Sequence, residues 1–166
     1  MLKLFADALL SIILGWIAYQ DFKERKVYLL CYPALLLVVL LAQHTRCDFD
    51  DSFKEQCIIN NCVITFQFLV IAIYMQLIRG IKFTAAIGVG DILFYYCITP
   101  YMSVTLFMLF NILSLLITVI LYIFFKKSFK DAIPLAGIQA VCFIGLQVYD
   151  YCTPHVLGTC YTINSF

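Results

Sequence analysis

A chain of 166 residues that is 64% hydrophobic and only 13% charged has too little polar surface to cover a water-soluble globule. Its mean hydropathy of +0.97 makes lipid the solvent it suits. A net charge of +1, with no polybasic run and no zinc-finger spacing, excludes nucleic-acid binding. The expected fold is an all-α, polytopic membrane protein, multi-pass in the plasma (inner) membrane.

A bilayer span takes about 20 apolar residues, with a usual range of about 17 to 25. Six segments serve as candidate transmembrane helices: residues 2–20, 27–42, 56–78, 83–99, 101–125 and 132–149, the second and fourth being short. Lys3 ahead of an apolar run imitates a secretory signal, but no small-residue cleavage pattern follows Gly15 and Trp16. The first segment is therefore read as a retained span. There is no internal repeat or low-complexity linker, so residues 1–166 read as a single transmembrane domain.

Orientation follows from Lys and Arg, which short cytoplasmic loops retain. With six spans, Lys23, Arg25, Lys26, Arg79, Lys82, Lys126, Lys127 and Lys130 fall on one side, and only Lys3, Arg46 and Lys54 on the other. Both termini are expected outside, N-out and C-out. Asp21, ending the first span, and Asp91 then share the cytoplasmic border. The outer loop 44–55 is acidic, with Asp48, Asp50, Asp51 and Glu55. Cys47, Cys57, Cys62, Cys152 and Cys160 lie in or near outer regions, where an oxidising compartment permits disulfides such as Cys47–Cys57 or Cys152–Cys160. Cys31, Cys97 and Cys142 sit in spans as small apolar residues. Without a CxxC pair, no structural metal is expected.

The two aspartates carry the chemistry. A carboxylate near lipid costs roughly 2.5 to 3.5 kcal/mol even on the gentlest insertion scale, so two at one depth point to function. Sharing a water, they would hold one proton between them, one acting as general base and the other as general acid, and would hydrolyse amides without metal or cofactor. With a helix beginning near Thr84, Asp91 is expected about seven residues in, roughly 10 Å deep.

Asp91 closes the tetrad Gly88-Val89-Gly90-Asp91. A chance G-x-G-D is expected about 0.014 times in a chain of this composition. Glycines there allow unusual dihedrals and close approach of another chain, as a protease must offer when it unwinds a helical substrate. The structural alternative is a small-residue helix contact that includes Gly80 and Ala86.

These residues resemble the GxGD intramembrane aspartyl proteases, and among them the type IV prepilin peptidases. The resemblance rests on Asp21-Phe22-Lys23-Glu24-Arg25-Lys26-Val27 after the first span, on Gly88 to Asp91, and on Pro134-Leu135-Ala136 before the last. It departs from the family at Val27-Tyr28-Leu29, where Ile-Pro-Asn is common, and at Leu93, where many members carry lysine. The cytoplasmic insert of larger bifunctional members, with its N-methyltransferase role, is absent. The resemblance implies a short-form peptidase with Asp21 and Asp91 catalytic and Gly88, Val89, Gly90 and Pro134 shaping the substrate site. Its substrate would be a prepilin-like (or preflagellin-like) precursor with a short basic leader and an apolar helix, cut at the cytoplasmic face, typically after glycine. Glu24 or Asp131 could meet the leader's charge.

Other polar residues have plainer readings. Asp7 is expected to reach water from near the outer surface, and Asp150 and His155 to belong to an outer tail. His44 and His155 lack a nucleophile partner, which argues against a hydrolase triad. Two alternatives to a peptidase stand: a small transporter or proton channel using intramembrane aspartates, and an inactive membrane scaffold of a secretion or pilus system.

Overall fold

Apolar runs of this length leave the backbone no water to bond, and a helix satisfies each amide within its own segment. The computed structural model describes residues 2–24, 26–46, 49–77, 80, 88–125 and 134–152. These form α1 (Leu2–Glu24), α2 (Cys31–His44), α3 (Asp51–Leu77), α4 (Val89–Ile98), a 3-10 turn at Thr99–Tyr101, α5 (Val104–Phe125) and α6 (Leu135–Cys152), with no strand among the described residues. Four of them, α1, α3, α5 and α6, are long and apolar enough to cross a membrane. The second and fourth expected spans appear as shorter helices of 14 and 10 residues. Arg25, Cys47, Asp48, Arg79, Lys82, Thr84, Ala86, Lys126, Lys127, Lys130, Asp131, His155 and Cys160 lie outside the described residues.

Three helix boundaries differ from the expected ones for local reasons. α3 begins at Asp51 because Asp50 caps it, its carboxylate accepting hydrogen bonds from the Phe53 amide at 2.9 Å and the Ser52 hydroxyl at 2.8 Å. Much of the acidic loop is therefore the first turn of a helix. α2 begins late because Gln20 of α1 accepts the Tyr28 amide at 3.2 Å and holds the incoming chain against α1. α4 gives way to the 3-10 turn at Pro100, and Asn60 of α3 donates to the carbonyls of Thr99 and Met102 at 3.0 and 2.9 Å.

The helices alternate in direction. Along α1 and α6 the contacts run Asp21 to Gly137, Ser11 to Gln147 and, through Arg46, Asp7 to Asp150, an antiparallel register held end to end. Asn60 against Thr99 and Thr65 against Tyr96 set α3 antiparallel to α4. Leu10, Leu14, Ile17, Leu35, Phe94 and Phe107 fill the fully buried centre. A polar thread crosses it: Gln139 donates to the Tyr95 hydroxyl, which donates to Asn111 at 3.0 Å, and Asn111 donates to Gln67, so α6, α4, α5 and α3 are tied in turn. Phe66, Ile112 and Ile123 stand about two-thirds exposed on the outer faces of α3 and α5. Such apolar surface is at ease against hydrocarbon.

Candidate active site

The first turn of α6 is where the distant acids meet. Pro134 precedes the helix, and its carbonyl accepts the Ile138 amide at 3.1 Å, which makes it the N-cap. A proline side chain has no oxygen with which to cap, so the next amides need acceptors from elsewhere. Asp91 supplies one, accepting the Ala136 amide at 2.9 Å, and Asp21 the other, accepting the Gly137 amide at 2.6 Å. Successive amide nitrogens are under about 4 Å apart, which limits the two accepting oxygens to about 9 Å. The carboxylates are close enough to repel each other. The positive end of the α6 dipole favours both, by about 0.3–1 kcal/mol each at an exposed site and up to about 2 kcal/mol when partly buried.

The supporting elements place each acid differently from expectation. Asp21 is buried in the last turn of α1, at 8% exposure. Asp91 is half-buried in the first turn of α4, whose helix starts at Val89; it does not lie seven residues into one. Gly88 is the N-cap, with φ −66° and ψ 140°, ordinary extended backbone that any residue adopts. Space, then, is what the glycines supply. A Cβ on Gly88 would lie 3.2 Å from Asp91 Oδ2, and one on Gly90 would overlap the Tyr32 hydroxyl. Gly137, which the sequence reading passed over, belongs with them: a Cβ there would stand 3.1 Å from Asp21 Oδ2 and 3.4 Å from the Phe22 ring. Its signal was its place directly after Pro134-Leu135-Ala136.

Gly80 has a positive φ of 64°, and no described residue lies within 4 Å of a Cβ built there. Val89 is 60% exposed, and Phe22, Tyr28, Leu29 and Leu30, which follow Asp21 in sequence, are exposed apolar residues as well. Glu24 ends α1 in an exposed position.

At the opposite end, Asp7 keeps partial exposure to water, as expected, but it is also paired, and Asp150 is buried. Arg46, just past α2, reaches Asp7 Oδ1 at 2.9 Å and Asp150 Oδ2 at 3.2 Å, with both the arginine and Asp150 buried. Its guanidinium lies over the Tyr101 ring, 4.8 Å from the centroid. Asp150 is part of α6 and not of a tail. Among the described residues Cys57, Cys62 and Cys152, on α3 and α6, have no disulfide partner, and no group of three His, Cys, Asp or Glu could hold a metal ion. No family model, curated protein or solved structure matches the chain.

Proposed function

We propose that the protein is an intramembrane aspartyl endopeptidase in which Asp21 and Asp91 activate one water against a peptide bond. The observation that carries the reading is that acids 70 residues apart in sequence converge on consecutive amides of α6, within the three segments that resemble the GxGD proteases. One carboxylate takes a proton from the water as it attacks the carbonyl carbon; the other acid gives a proton to the departing amine. Gly88, Val89 and Gly90 would line the approach of the unwound strand, and Pro134 would keep the α6 amides free of a local cap.

In this reading α2 and α4 complete six membrane segments with both termini outside, and the acids face the cytoplasm. Support comes from the Lys and Arg distribution and from the alternating helix directions. The substrate is a prepilin-like precursor, cut between its basic leader and its apolar helix. The exposed apolar side chains of Phe22, Tyr28, Leu29, Leu30 and Val89 suit such a helix.

The buried polar thread from Gln139 to Gln67 favours a second reading, a small transporter or proton channel, because such side chains can relay water or ions. Membranes carrying the protein and a prepilin-like precursor separate the two. An endopeptidase shortens the precursor and stops doing so in Asp21→Asn and Asp91→Asn; a transporter alters ion flux and leaves the precursor at full length. An inactive scaffold tolerates both substitutions and cleaves nothing.

A further inference from the structure

Tyr32, in the first turn of α2, is a polar side chain at the acid pair that the scheme above does not use. It is 3% exposed, and its hydroxyl has no hydrogen-bond partner among the described residues. The other inward tyrosines are satisfied: Tyr95 by Asn111, Tyr96 by Thr65, Tyr101 by Asp7 and Gln147. An orphaned buried hydroxyl is uncommon in folded proteins and calls for a partner. Its position is specific as well. The oxygen lies over Gly90, the neighbour of Asp91, where a Cβ would overlap it.

Resting on the endopeptidase reading, we propose that Tyr32 is a catalytic residue of the same site, its hydroxyl donating a hydrogen bond to the carbonyl oxygen of the scissile peptide. The attacking water points its hydrogens at a carboxylate and its lone pair at the carbonyl carbon, so a donor aimed at that lone pair would quench the attack. The carbonyl oxygen is different: it gains negative charge as the new C–O bond forms, and a fixed donor there lowers the barrier. The carbonyl π pair moves onto the oxygen and returns as the C–N bond breaks. The water's proton passes to one carboxylate, the amine takes a proton from the other acid, and Tyr32 keeps its own. Gly90 then has a defined task, which is to leave room for the hydroxyl beside Asp91.

The test measures kcat and KM for cleavage of a prepilin-like precursor by the full-length protein and by Tyr32→Phe, with thermal unfolding of each. Loss of one such donor lowers kcat about 100-fold with KM little changed. Unfolding should occur at or above the wild-type temperature, because the substitution removes an unsatisfied hydroxyl. Gly90→Ala, which displaces the hydroxyl, should lower cleavage in the wild type and add little in the Tyr32→Phe background. A Tyr32→Phe protein that cleaves at the wild-type rate, or whose defect lies in KM alone, overturns the role while leaving the endopeptidase reading intact. Cleavage that survives Asp21→Asn and Asp91→Asn overturns both.

Discussion

Each end of the bundle gathers an aspartate of α1 with one from a later helix, yet the two pairs are held in different ways. Asp7 and Asp150 grip one guanidinium, while Asp21 and Asp91, about 21 Å away along α1, meet on two backbone amides. A guanidinium neutralises the charge it binds and fixes its partners in place. Helix amides carry roughly half a charge between them, so they orient carboxylates without cancelling them. The first arrangement suits a clamp; the second leaves acids able to exchange protons with a bound water.

The largest effect that sharpens this contrast comes from exchanging acid for amide at the α6 end. Asparagine keeps an oxygen for the Ala136 or Gly137 amide, so Asp91→Asn and Asp21→Asn should preserve the helix cap while lowering precursor cleavage at least about 100-fold. Unchanged cleavage would make the pair a cap and nothing more. Arg46→Met should do the reverse. Removing the cation takes the counter-charge from two acids and costs about 3–5 kcal/mol in detergent unfolding, with cleavage per folded molecule retained. A variant as stable as the wild type would break the distinction drawn here.

Two glycines of α6 provide a finer comparison. Gly145→Ala meets nothing within 4 Å and should stabilise by about 0.5–1 kcal/mol through helix propensity. Gly137→Ala has the same propensity gain but presses on Asp21, so cleavage should fall while net stability rises less than at residue 145. Equal behaviour of the two variants would show that the crowding at Asp21 has no consequence. The smallest effect belongs to Asp50, whose carboxyl the Phe53 amide, and then the Ser52 hydroxyl, hold below the usual carboxylate range. Its cap on α3 is therefore fully present above about pH 4 and is lost only as the pH falls through that lowered value. Hydrogen exchange at the Phe53 amide should quicken in Asp50→Ala, with cleavage untouched.

What could be read from the residues in advance was uneven, and the unevenness has physical causes. Apolar runs and the tetrad ending in Asp91 are local patterns, so the helical class and the candidate acids were visible. The start of α4 was not, because Ile87 and Val89 continue the apolar run across Gly88 without any break in hydropathy. The Arg46 clamp joins positions 39 and 104 residues apart, which no periodicity reports. A hint existed: an aspartate as far inside an apolar span as Asp7 is expensive unless paired. Tyr32 was one tyrosine among 11, and what sets it apart, its unpartnered hydroxyl and its nearness to Gly90, is a matter of tertiary packing.

The last helix also has a bearing on how the chain comes together. α6 brings the amides for Asp21 and Asp91 and the carboxylate that completes the grip on Arg46, and it follows every other described helix in sequence. A nascent polypeptide halted before residue 134 would lack the two amides that Asp91 and Asp21 accept and the Asp150 carboxylate that Arg46 grips. The junction of Asp91 and Asp21 on consecutive amides therefore forms only after residue 137 has been added, a consequence of the order of the described helices.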